Sequence, residues 1–145
     1  MQIKHILVVK GRDIVAIESG ATLADAASLL ARKRIGAVIV RDEGGSLAGI
    51  LSERDVVRAV AKQGADALEQ PVSSYMTREV ATCCEADTVD GLMEMMTRGR
   101  FRHVPVVDDR EGLIGIVSIG DVVKSRIEET VREAATLREY ISAAG

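Results

Sequence analysis

The chain has 145 residues, with 19 Lys and Arg against 22 Asp and Glu, giving a net charge of −3. That balance offers no footprint for a phosphate backbone, and three aromatic residues, Phe101, Tyr75 and Tyr140, give no stacking platform for single-stranded nucleic acid. No apolar run is long enough to span a bilayer, and MQIKHILVVKGRD at the N-terminus lacks the apolar length and cleavage site of a signal peptide, so a cytoplasmic protein without membrane or nucleic-acid partners is expected.

Taken in chain order, DIVAIE (13–18) is a short β run that leads into a helix. Leu23, Ala26, Ala27 and Leu30 fall at i, i+3, i+4 and i+7, one helical face. Thr22 and Asp25 form a capping-box pattern at its start, and the helix ends near Gly36. AVIVRDEGGSLAGILS is two β runs around an Asp/Gly-rich turn, a hairpin. A second helix starts at Ser52 and stops near Gly64. In the linker that follows, Pro71 suits a helix start and VSSYM a single turn.

The series then repeats. VATCCE (80–85) is the second short β run, with Cys83 and Cys84 read as small buried apolar residues. The two cysteines are adjacent and there is no C-x-x-C, so no metal site is expected. Val89, Leu92, Met93 and Met96 mark a helix that Thr88 caps, with Gly91 where the first copy has Asp25. HVPVVDDREGLIGIVS is the second hairpin, and the helix beginning at Ser118 continues through Ile141. Shifted by 66 residues, positions 22–58 fall on 88–124 without a gap and with 13 identities in 37. The chain is an internal duplication. Each copy reads β-α-β-β-α, an α+β architecture. The expected organisation is a first repeat at 8–64, a linker at 65–79, a second repeat at 80–127 and a C-terminal helical extension at 128–145. Either copy alone would bury too little surface, so the two are expected to pack by their sheets about a pseudo-two-fold axis. The residual apolar face of the Leu29 and Met95 helices predicts a homodimer.

One junction occurs twice: GILSERDVV (49–57) and GIVSIGDVV (115–123). A strand ends at a Ser and a helix begins with an Asp three residues on. Capping alone accounts for this spacing. So does a nucleotide site: a helix N-terminus suits phosphate, a Ser hydroxyl adds a donor, and an Asp carboxylate accepts from both hydroxyls of a ribose. Gly120 would let a ligand approach the backbone.

The β-α-β-β-α repeat, RFRHVPVVDD, GLIGIVSIGDVV and GSLAGILSERDVV resemble CBS domains, named after cystathionine β-synthase, and two in tandem are similar to a Bateman module. The resemblance covers roughly residues 10 to 130 and leaves no catalytic domain outside it. It implies a regulatory sensor without catalysis, binding AMP, ATP or NAD(H) between the two sheets and signalling to an effector protein. An S-adenosylmethionine sensor and a ligand-free dimerisation module are the alternatives. It further implies that Asp121 and Asp55 hold ribose and that Ser118 and Ser52 lie near phosphate. Thr82, Val104 and Pro105 would flank the base in the second site, and Ile17, Val38 and Ile39 in the first. Read from the residues, Arg54 on the first helical turn could reach a phosphate in the first site; Arg102 belongs to a basic cluster that is either a solvated helix end or faces phosphate; and His103 could face phosphate, act as a pH-sensitive group or be an ordinary strand histidine. The second site, with Pro105 and Gly120, is expected to be the better equipped.

Overall fold

The computed structural model describes residues 1–144. In chain order the elements are α1 (Ile3–Lys10), β1 (Ala16–Glu18), α2 (Leu23–Lys33), β2 (Ala37–Arg41), β3 (Leu47–Ser52), α3 (Glu53–Gln63), α4 (Val89–Gly99), β4 (His103–Val107), β5 (Leu113–Ser118) and α5 (Ile119–Ala144). Two short 3-10 helices, Gly64–Glu69 and Val72–Ser74, follow α3, the second capped by Pro71. They separate into two compact units, one of residues 13–81 and the other of residues 1–12 with 82–145.

In the unit of residues 13–81 the sheet order is β1-β2-β3, with β1 parallel to β2 and β2 antiparallel to β3. The duplicated periodicity becomes the core: Leu23, Ala26 and Leu30 of α2 pack with Val38, Val40, Leu51 and Ala59. Thr22 and Asp25 close the predicted capping box. Segment 67–77 completes this unit, because Ala67, Val72 and Met76 join its core and Thr77 exchanges main-chain hydrogen bonds with Ile50 of β3, at 2.9 and 3.0 Å.

In the other unit the hairpin β4-β5 stands as a two-stranded sheet. The strand expected at 80–85 shrinks to one parallel bridge between Cys83 and Val106. The duplication explains the loss. Ile39 donates its N–H to the carbonyl of Val15 at 3.1 Å, which starts the β1–β2 ladder. The equivalent residue is Pro105, which has no N–H to give. Only the bonds on either side of it survive, Cys83 N–H to the Pro105 carbonyl (3.0 Å) and Val107 N–H to the Cys83 carbonyl (2.8 Å). Cys83 is buried as expected, but Cys84 is exposed, since a residue next to a buried one in extended chain points the opposite way. Burial, with Asp87 and Cys84 adding to it, pushes the Cys83 thiol up to about 12.

The second unit also contains α1. Its sequence, IKHILVVK, is rich in β-branched residues, yet Ile3, Ile6 and Leu7 share one helical face and are buried in the core with Val89, Leu92, Val104, Val117 and Val122. Burial of that face outweighs the weak helix propensity of the segment. The 66-residue shift extends to these lead-in segments as well, placing 1–12 on 67–78. Each unit is therefore completed by the segment that precedes the other repeat.

Candidate functional site

Both Ser-x-x-Asp junctions are true capping boxes. Asp55 N–H donates to Ser52 Oγ at 3.2 Å while Ser52 N–H donates to Asp55 Oδ2 at 2.9 Å. The second copy repeats this with Asp121 N–H to Ser118 Oγ at 3.2 Å and Ser118 N–H to Asp121 Oδ2 at 2.8 Å. The helix N–H two residues earlier is also engaged: Glu53 donates to the Gly36 carbonyl (2.9 Å) and Ile119 to the Arg102 carbonyl (2.8 Å). The cap fixes the carboxylate as much as it fixes the helix. Each Asp is half-buried, rigidly aimed, and set against the positive end of a helix dipole.

The glycines that open each junction have a packing reason. A Cβ on Gly49 would lie 2.5 Å from the Thr77 carbonyl oxygen, and one on Gly115 would lie 2.8 Å from Leu7 Cδ2. Both positions admit the close approach of a lead-in segment. Gly120 differs: a Cβ there meets only Ser118 Oγ, at 3.6 Å, so the backbone at the start of α5 is open.

A residue that the sequence reading did not single out enters the second junction. Lys10, the last residue of α1, places its Nζ 2.6 Å from Asp121 Oδ2 and 2.6 Å from the Ile116 carbonyl. Burial pushes the Asp121 carboxyl up, but Lys10 and the Ser118 amide outweigh it and hold the group below the usual carboxylate range. The ion pair is partly shielded, with the side chains 31% and 23% exposed. The available signal was the repeat shift itself, which pairs Lys10 with Met76 in the lead-in of the other copy.

The remaining candidate residues fall on the hairpins and their flanks. His103 lies directly across from Ser118 in the β4–β5 ladder, and Pro105 across from Ile116. Val104 and Pro105 are buried, and their main chain is engaged, Val104 across from Val117 in the ladder and the Pro105 carbonyl with the N–H of Cys83. Thr82 is exposed beside the Cys83 bridge, on the opposite side of β4 from β5. In the first unit Val38 and Ile39 are fully buried in β2, and half-buried Ile17 lies on β1. Arg54 and Arg102 are exposed. Ile17 also lines an open depression of about 500 Å³ with Ala16, Glu18, Asp25, Leu29 and Arg32, which contains neither Ser52 nor Asp55. Among the described residues no cluster of His, Cys, Asp or Glu could hold a metal ion.

Residues 3–62 and 72–128 each match the CBS domain. The chain belongs to the CBS-domain family. It is 38% identical over 124 residues to the CBS domain-containing protein CBSX3, mitochondrial, of Arabidopsis thaliana, which covers 83% of this chain and 60% of that protein. The chain thus spans under two thirds of that relative's length. Among solved structures, the CBS-domain containing protein ATU1752 from Agrobacterium tumefaciens shares 50% identity with a TM-score of 0.84, covering 86% of this chain and 92% of that one. The CBS domain pair of protein MJ0100, solved with 5-methylthioadenosine and S-adenosyl-L-methionine, shares 28% identity with a TM-score of 0.79 over 89% of this chain and 98% of its own. The CBS domain protein PAE2072 from Pyrobaculum aerophilum, complexed with AMP, shares 29% with a TM-score of 0.75 over 83% and 89%. The tandem-repeat α+β fold is thus that of the CBS pair proteins, and no helix among the described residues is long and apolar enough to cross a membrane.

Proposed function

We propose that this CBS pair is a regulatory sensor that binds adenine nucleotides (AMP, ATP or NAD(H)) and performs no chemistry on them. The observation that carries this reading is the pair of capped carboxylates, Asp55 and Asp121, held half-buried at two open helix starts. In each, the cap bond falls on Oδ2, which leaves Oδ1 as the oxygen a ribose diol would approach without breaking the cap. The Ser hydroxyl accepts the helix N–H and keeps its own proton to offer a phosphate. Lys10 at Asp121 adds a cation that an anionic phosphate could share. Relatives solved with AMP and with S-adenosyl-L-methionine support an adenosine-derived ligand. Half-buried Leu29 and Met95 on α2 and α4 support pairing of two chains, through which occupancy would be communicated to an effector.

The test is calorimetry with AMP, ATP, NADH and S-adenosylmethionine on the wild type, Asp55→Ala and Asp121→Ala. Each substitution is expected to remove binding at one site, at a cost of about 1.5–3 kcal/mol for the lost charge-assisted bonds. Unchanged affinity of both variants for every ligand bound by the wild type would refute the assignment. A ligand consumed on incubation would refute the absence of chemistry.

A further inference from the structure

The helix α5 runs 26 residues, but only Val122 and Ser125 within it are buried. Every residue from 130 to 144 is exposed. At 1.5 Å per residue that stretch extends about 20 Å with nothing of its own unit packed against it. Its apolar residues are nevertheless ordered. Ile127, Ala134 and Ile141 recur every seven residues, and Val123, Leu137 and Ala144 keep a second seven-residue register between them, in which the fourth position is Thr130, its hydroxyl turned back onto the Arg126 carbonyl at 3.0 Å. These are the a and d positions of three successive heptads. Ile127, Leu137 and Ile141 are 58%, 58% and 60% exposed, and Val131, at an e position, is 64% exposed. The opposite face carries Glu128, Glu129, Arg132 and Glu139.

We propose that residues 123–144 of α5 pair with the same segment of a second copy of this chain as a parallel two-stranded coiled coil. The seven-residue repeat selects a helix as occupant, since knobs-into-holes packing requires a partner of the same period. Two of the three a positions are Ile and the central Leu137 is the one Leu at d, the pairing that favours two strands, while Ala134 and Ala144 let the two helices approach closely. The flanking charges select the second copy and its direction. In a parallel pair, a g position faces the e position five residues later on the partner. Glu133 at g then meets the partner's Arg138 at e, and the two-fold axis makes this contact twice. An antiparallel pair sets e against e, and the charges on that flank, Lys124 and Arg138, are both basic. This surface is separate from the capped junctions and does not depend on what binds there.

The experiment uses the full chain, with sedimentation equilibrium on the wild type and on the triple variant Ile127→Asp, Leu137→Asp, Ile141→Asp. All three side chains are exposed within the chain, so unchanged thermal unfolding of the core is expected, while the dissociation constant of the assembly rises at least a hundredfold, whether or not the α2 and α4 faces also hold the two chains. Glu133→Arg alone should weaken the assembly about tenfold, and Glu133→Arg with Arg138→Glu should restore it. In a Cys84→Ser background, Ile141→Cys should cross-link two chains through equivalent positions under mild oxidation. A monomeric wild type, a triple variant of unchanged dissociation constant, or cross-linking only when Ile127→Cys and Ile141→Cys chains are mixed would overturn the proposal.

Discussion

The two CBS repeats carry the same junction, yet different chemistry leans on it. At the first, the carbonyl of Ile50 accepts the main-chain N–H of Thr77. At the second, the equivalent carbonyl of Ile116 accepts the ammonium of Lys10, which also takes Asp121. The duplicated cap is thus constant and its neighbour is not. An uncharged main-chain seal leaves Asp55 with its cap, whereas a side-chain cation gives Asp121 a counter-ion. What distinguishes two inherited sites here is the segment completing each unit rather than the motif within it.

The comparison can be broken at its tightest point. Gly49→Ala drives a methyl into the Thr77 carbonyl, which is held by the N–H of Ile50, and should destabilise by about 3 kcal/mol. Gly115→Ala meets the end of the Leu7 side chain, which can turn aside, and should cost about 1 kcal/mol. Urea unfolding of the two variants measures the difference, and equal losses would mean that both lead-ins yield alike.

Exchanging the residues that separate the two sheets is the next largest test. Ile39→Pro deletes the N–H that bonds Val15 and should cost about 2 kcal/mol. Pro105→Ile restores a donor opposite Ala81 and should lengthen the Cys83 bridge toward a third strand. Amide exchange on residues 81–84 reports this: slowed exchange in the variant is expected, and no change would show that more than the missing donor shortens the strand.

The smallest effect isolates the cation. Lys10→Met should cost about 0.5–1 kcal/mol near neutral pH, the worth of a partly shielded ion pair. The sign with pH follows from the lowered Asp121 value. Its contribution is complete above the unfolded carboxylate range, near about 3.9, and is lost as pH falls through the folded value. Wild type and variant should therefore converge in stability on acidification, and a constant gap down to strong acid would remove Lys10 from the account.

Local signals made most of the fold legible. Thr22, Ser52, Thr88 and Ser118 all cap the helices predicted for them, because a cap is decided within four residues. The hairpins and the buried faces of α2 and α4 followed from short-range alternation and periodicity. What escaped was non-local. α1 hides in a β-branched run because its helical form depends on a core supplied by residues 82–145. Lys10 reaches Asp121 across 111 positions, a distance no spacing rule covers. The missing third strand was written in Pro105, but its meaning required knowing that the bond it lacks is the one Ile39 makes.

The shared assignment of the first twelve residues sets an order of events during synthesis. Residues 13–81 form a unit that is continuous in the chain, so its contacts can close as it leaves the ribosome. Helix α1 emerges before all of them and is used last, because the strand it packs on ends at Ser118. Until then Ile3, Ile6 and Leu7 have no core to enter. Helix α1 is a part held in reserve for the later unit, and deleting Ile3–Lys10 would open that unit while leaving the unit of residues 13–81 closed.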